Sequence, residues 1–134
     1  MAGYSGKPLA TKLGIKEGFR IAIVNEPKGF RPELGDLSAV KISAKLHSPL
    51  DLVLLFVKTQ SELKKNFGKL ASKLAPAGML WIAWPKKASG MPTDLSDNSV
   101  REIGLASGLV DVKVCAVDET WSGLKFVIRL KDRV

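Results

Sequence analysis

The chain is poor in the residues that most often betray a chemistry. A single cysteine, Cys115, leaves no disulfide framework. A single histidine, His47, cannot complete a zinc set with that one thiol, because no cluster of carboxylates at ligand spacing stands beside them. The longest strongly apolar run, Leu52 to Val57, is far below the ~20 residues needed to span a bilayer, so no membrane partner is expected. Met1-Ala2-Gly3-Tyr4-Ser5-Gly6-Lys7 lacks the apolar stretch of a secretion signal, and a cytoplasmic location is expected. Catalytic signatures are missing too. Gly3-Tyr4-Ser5-Gly6 does not have the Gly-x-Ser-x-Gly spacing of a nucleophile elbow. Gly6-Lys7 has no spaced upstream glycine and is not a phosphate loop. Asp118 and Glu119 are adjacent, so in extended chain they point oppositely and make a poor acid–base couple. No cofactor and no catalytic residue is predicted.

What is present describes an ordinary globule. The 134 residues fit one domain, 1–134, with 46% hydrophobic and 25% charged residues. No internal repeat or long linker divides them. The unusual bulk feature is charge: 21 Lys and Arg against 13 acids give +8. Five of those bases are Arg and sixteen are scattered Lys. Arg is the usual choice for bidentate phosphate contacts, so solubility is the first explanation of this charge and a polyanion surface the second. Lys65, Lys69 and Lys73 recur every four residues opposite an apolar helix face, which reads as a solvated stripe. Cys115 lies in an apolar strand and reads as a small core residue.

The elements follow from periodicity. Pro8 to Leu13 predicts a short helix ended by Gly14. Phe19 to Val24 predicts a strand broken by Asn25-Glu26-Pro27-Lys28-Gly29. A brief helical segment is expected over Pro32 to Leu37, and a short strand over Val40 to Leu46. Leu52 to Val57 and Met79 to Trp84 are apolar without alternation, as in strands covered on both faces. Between them Leu63, Phe67, Leu70, Ala71 and Leu74 share one face of a helix over Ser61 to Ala75, with Thr59 and Glu62 as a capping box and Pro76 as the stop. A second helix spans Ser96 to Ser107, with Ser99 and Glu102 as another box and Gly108 as its end. Val110 to Val117 and Leu124 to Leu130 alternate and form an antiparallel hairpin around a turn at Asp118 to Gly123. The fold class is therefore α/β: a single-domain, Rossmann-like, mostly parallel open sheet with helices and a C-terminal antiparallel hairpin. Residues 46–51 leave no room for a crossover helix, so the Val40 strand is short with an extended return, antiparallel, or no strand.

Several strings resemble a known family. Trp84-Pro85-Lys86-Lys87-Ala88-Ser89, Thr93-Asp94-Leu95 and the run from Gly108 to Lys125 resemble the bacterial domain-of-unknown-function family three-thousand-and-fifty-two. Gly3 to Leu9 and Leu13 to Gly18 are similar to it as well. That resemblance implies a bacterial protein and no activity. The element order, with Leu74-Ala75-Pro76-Ala77-Gly78 leading into a buried strand and a terminal hairpin, resembles a shortened S-adenosylmethionine-dependent methyltransferase. Those enzymes carry a glycine-rich turn after the first strand; here Asn25 to Gly29 holds a proline and one late glycine. Where they place a carboxylate for the ribose, Lys45, Leu46 and His47 stand.

Ligands of open parallel sheets sit beyond the carboxyl ends of the strands. That rule collects Asn25, Glu26, Lys58, Thr59, Trp84, Lys86 and Lys87. If the Val110 strand runs parallel to the others, its turn brings Asp118, Glu119 and Trp121 toward Lys86 and Lys87. An indole beside paired lysines then suits a small, flat, anionic ligand; the alternative is that these charges only pin the hairpin to the loop after Trp84. Weak nucleic-acid or anionic-surface binding through the basic charge is a second reading. A protein-interaction or structural module is the third, with a dimer allowed: Lys125, Arg129 and Lys131 share a polar face of the last strand that could meet another subunit.

Overall fold

The structure, a computed structural model, describes residues 8–43 and 49–133. The resemblance at Gly3 to Lys7, the end of the Val40 to Leu46 strand and the Lys45-Leu46-His47 position lie outside the described residues. Six strands form one sheet: β1 (Arg20–Val24), β2 (Lys41–Ile42), β3 (Leu50–Phe56), β4 (Leu74–Pro85), β5 (Leu109–Ala116) and β6 (Trp121–Ile128). Their order is β2-β1-β3-β4-β6-β5. β2, β1, β3 and β4 pair in parallel, and β6 runs antiparallel to both β4 and β5. β5 is thus parallel to β4. The α/β class and the mostly parallel sheet with its antiparallel hairpin are as the sequence predicts. The two-residue β2 settles the Val40 question: it is a very short parallel strand at the sheet edge.

Each face of the sheet has its own core. The non-alternating runs of β3 and β4 feed both, as a doubly covered strand must. On one face α2 (Gln60–Ala71) and α3 (Asp97–Ala106) lay Leu63, Phe67, Leu70, Val100 and Ile103 over Val53, Leu55, Leu80 and Ile82. On the other, α1 (Leu9–Leu13) and a single 3-10 turn at Arg31–Leu34 cover Leu52, Leu54, Phe56 and Trp81. The fully buried Trp81 donates its indole N–H to the Leu13 carbonyl at 2.9 Å, which satisfies the polar atom burial would otherwise strand.

Several expectations are corrected. Pro76 does not stop α2, which ends at Ala71. Pro76 sits in the irregular start of β4, where Leu74 and Met79 oppose Leu50 and Leu52 and the residues between loop out. A proline is tolerated where the ladder is already broken. Lys73 accordingly lies beyond the helix, and of the three lysines Lys65 and Lys69 remain on its exposed face. The cap of α3 is Ser96 with Ser99, one turn earlier than expected, because the helix starts at Asp97. The helical stretch expected over Pro32 to Leu37 is the 3-10 turn at Arg31–Leu34. β6 begins at Trp121, so Ser122 and Gly123 are strand and the turn is shorter. Arg129 and Lys131 lie past its end at a closing 3-10 turn, so they do not extend the face of Lys125. Cys115 is half-buried rather than enclosed.

Candidate functional site

The strand order reverses between β1 and β3, since the chain goes from β1 outward to β2 and then returns to β3 on the other side. Such a switch point opens a crevice at the carboxyl ends of the two strands. Here those ends are Val24 and Phe56. Asn25 follows at once with φ 59, the left-handed region that Asn tolerates better than most side chains. Its Nδ2 donates to the Phe56 carbonyl at 3.1 Å, bridging the crevice floor.

Above that bridge lies a cleft of about 660 Å³ lined by Asn25, Glu26, Pro27, Lys28, Phe56, Lys58, Glu62, Met91, Thr120 and Trp121. It continues into a lobe of about 340 Å³ that adds Gly29, Phe30, Glu33, Asp118 and Glu119. Pro27, Lys28, Thr120 and Trp121 belong to both, so the two are one groove between the turn after β1 and the turn of the hairpin. Its base is aromatic: Phe56 meets Phe30 and Trp121 edge-on, with centroids 4.8 and 5.0 Å apart. Trp121 is only 5% exposed, which leaves little indole surface for stacking.

The charges around this groove are mostly acidic. Five carboxylates (Glu26, Glu33, Glu62, Asp118, Glu119) face two lysines (Lys28, Lys58). Glu26 is held by Arg31 through bonds of 2.6 and 3.0 Å. Asp118 accepts from the Thr120 and Trp121 amides at 2.8 Å each and so builds its own turn. The N-terminus of α2, which points at the same edge, is already occupied. Glu62 accepts from the Lys58 amide, Asp94 from the Gln60 amide, and Thr59 from the Glu62 amide. The expected Thr59–Glu62 box is therefore half made, with Glu62 reaching one residue further back. Three donors that could receive an anion are spent on the protein's own oxygens.

The structure brings Asn25, Lys58, Asp118, Glu119 and Trp121 to this groove and separates Trp84, Lys86 and Lys87 from it. The chain direction is as expected, and the Lys86 amide donates to the Thr120 carbonyl at 2.8 Å. However, Pro85 is the residue paired with Trp121. Alternation along β4 sends the following residue toward the opposite face. Trp84, Lys86 and Lys87 line a different cleft of about 290 Å³ with Leu95, Asp97 and Val114, on the α3 side. The paired lysines share a cleft with Trp84 and not with Trp121. Lys28, Glu33 and Glu62 are the charged groove residues that the reading by strand ends missed. Lys28 was within reach of that rule, since it stands four residues after β1; Glu33 needed knowledge of how the 3-10 turn folds back.

No family model matches the chain, and no curated protein matches it. Solved structures do. A SAM-dependent methyltransferase from Aquifex aeolicus superposes with a TM-score of 0.61 at 18% identity, over 88% of this chain and 86% of that one. Magnesium protoporphyrin IX methyltransferase from Synechocystis with bound SAM gives 0.58 at 10% identity, over 90% and 74%. The chain therefore has a Rossmann-like, methyltransferase-like fold. At these identities the likeness is one of architecture alone.

S-adenosylmethionine, the cofactor such a fold implies, is not matched by the residues present. The Asn25 side chain bridges the crevice that a glycine-rich turn leaves open, and Pro27 and Lys28 stand where backbone must approach a cofactor. Only a 3-10 turn follows β1 before β2, so no helix N-terminus faces the groove from that side. Among the described residues there is no group of three or more His, Cys, Asp and Glu side chains able to hold a metal, and no helix long and apolar enough to cross a membrane.

Proposed function

We propose that this chain is a non-catalytic ligand-binding domain on a methyltransferase-like frame. Its ligand sits in the switch-point groove between Asn25–Gly29 and Asp118–Trp121. The observation that carries this reading is the groove's position at the strand-order reversal, with an aromatic base and a volume in the range of small-molecule sites. The local charge reverses the sign expected from sequence. With five carboxylates against two lysines and the α2 amides already satisfied, the groove favours a neutral or cationic heteroaromatic molecule over an anionic one. The string from Gly108 to Lys125, which carries the resemblance to family three-thousand-and-fifty-two, supplies both the hairpin turn and Trp121. This reading extends to kinship with that bacterial family and to a cytoplasmic location for this chain.

Thermal-shift and amide-shift titrations test the proposal with adenosine, S-adenosylhomocysteine, an aromatic amine and an acyl-phosphate at millimolar concentration. Saturable changes at Lys28, Thr120 and Trp121 are expected with the neutral and cationic compounds and not with the acyl-phosphate. Glu119→Gln should weaken the cationic ligand more than the neutral one. Silence of those three amides with every compound would end this reading.

A further inference from the structure

β4 carries two buried tryptophans that treat their indole N–H groups differently. Trp81 spends its own on the Leu13 carbonyl. Trp84, only 5% exposed, finds no acceptor for its N–H among the described residues. A buried donor without a partner costs its full desolvation, so it asks what acceptor it serves. Trp84 lines the cleft of about 290 Å³ on the α3 side. Ser122 stands directly opposite it across the antiparallel β4–β6 pair, so the two side chains leave the same face of the sheet. Ser122 is half-buried and lines the same cleft, and its hydroxyl has no partner among the described residues either. The first turn of α3 supplies a third donor. Ser99 Oγ accepts from the Ser96 amide at 2.9 Å and Ser96 Oγ from the Ser99 amide at 3.2 Å, which closes the cap on itself. The Asp97 amide, first in the helix, is left over, with the positive end of the helix dipole behind it. Lys87 is exposed at the rim and has no ion pair among the described residues. The remaining walls include Pro85, Leu95 and the exposed Val114, all apolar.

We infer that this cleft binds the carboxylate of a small apolar acid. The carboxylate oxygens accept from the Trp84 N–H, the Ser122 O–H and the Asp97 amide, and Lys87 supplies the opposite charge. Pro85, Leu95 and Val114 cover the hydrocarbon body, which is short because the cleft lies at the small end of ligand sites. The Asp97 side chain also borders the cleft and opposes a second negative charge, so a monoanionic carboxylate is preferred to a phosphate dianion. The cleft shares no residue with the groove and stands or falls independently of the function proposed above. A free acid and the C-terminal end of a peptide present the same group.

The test is a titration of the full chain with isocaproate at neutral pH, followed at every backbone amide and indole N–H. Saturable shifts are expected at the Trp84 indole N–H and at the Ser122 and Asp97 amides, while the Trp81 indole N–H, already bonded, stays in place. Trp84→Phe keeps a ring and loses the N–H, and Ser122→Ala loses only the hydroxyl; each should weaken binding by roughly tenfold. The serine variant carries the test should the change of ring loosen the core. Lys65→Gln on the outer face of α2 should change nothing. Isocaproamide, which keeps an acceptor and loses the charge, should bind roughly tenfold more weakly, and inorganic phosphate should not compete. A short peptide ending in leucine separates the two sources: binding far tighter than isocaproate assigns the carboxylate to a chain terminus, and binding no tighter assigns it to a free acid. A Trp84 indole signal that never moves, unchanged affinity in Ser122→Ala, or phosphate competing as well as the acid overturns the site.

Discussion

Gly104 shows how closely α3 lies on the sheet. A Cβ at this position would stand 2.1 Å from the Phe126 ring, which is itself buried and packed edge-on against Phe67 at 5.2 Å. Gly104→Ala therefore forces the helix off the sheet or the ring off its partner. A loss of about 1–3 kcal/mol is expected from such overpacking, read as a lower urea midpoint. Asn25 poses a different question, because it combines a left-handed backbone with a side-chain bond to Phe56. Asn25→Gly keeps the conformation and loses the bond; Asn25→Ala loses both. The alanine variant should be less stable than the glycine variant by about 1 kcal/mol, and equal stabilities would show that the backbone there is unstrained. At Cys115, burial raises the thiol pKa and outweighs the lowering by Lys12, Lys113 and Lys125. The thiolate is the reactive form. Alkylation at pH 8 should be slower than for a free cysteine and should accelerate only on unfolding.

At the level of elements, most of the architecture was readable because it depends on local periodicity. The apolar runs of β3 and β4, the one-sided stripe of α2 and the alternation of the hairpin each carry their own burial pattern. The turn after β1 and the hairpin turn were likewise readable as lying at one edge. What the pattern does not contain is the register between strands far apart in sequence. The pairing of Pro85 with Trp121 puts Trp84 and Lys86 on the other side of the sheet from that indole, the 3-10 turn that follows takes Lys87 to the same cleft, and no stretch of chain around either residue encodes that pairing. Capping was legible in kind and misplaced in detail for a similar reason: Glu62 takes the Lys58 amide while Asp94, 34 residues from Gln60, supplies the next cap. Thr59→Ala should cost about 1 kcal/mol, and the helix should not unravel, because the Glu62 and Asp94 bonds remain. The hairpin carries a pH dependence of definite sign. With its folded pKa lowered by burial and by Lys113, Lys125 disfavours the fold while charged. As pH rises through that folded value toward 10.5, the unfolded chain holds more protons, and stability is regained. Lys125→Met should be the more stable protein at neutral pH, with the gap closing under alkaline conditions; a gap independent of pH would assign the gain to packing instead.

Taken as a whole, the molecule divides its charge and its edges between different tasks. The net +8 does not gather at the groove, where carboxylates prevail. The sheet has two edges, and β5 is the longer, with Val112 and Val114 55% and 51% exposed. An edge strand with exposed valines invites pairing with another chain. Two features of β5 oppose that. Lys113 stands between the valines, and the register with β6 slips between Asp111 and Lys113, leaving Val112 as the extra residue of a bulge. Bulges bend and twist the strand locally, and a twisted edge is a poor template. The Lys12 ammonium on the Ala116 carbonyl covers the far end of the same strand. Deleting Val112 joins Asp111 to Lys113 and restores unbroken pairing with Phe126 and Lys125, while the fold behind it is untouched. The deletion variant should therefore fold and yet associate as its concentration rises in sedimentation, whereas the intact chain should associate less at every concentration. If both sediment alike, the bulge serves only to set the strand's twist against β6, and the charge on Lys113 alone keeps the edge unpaired.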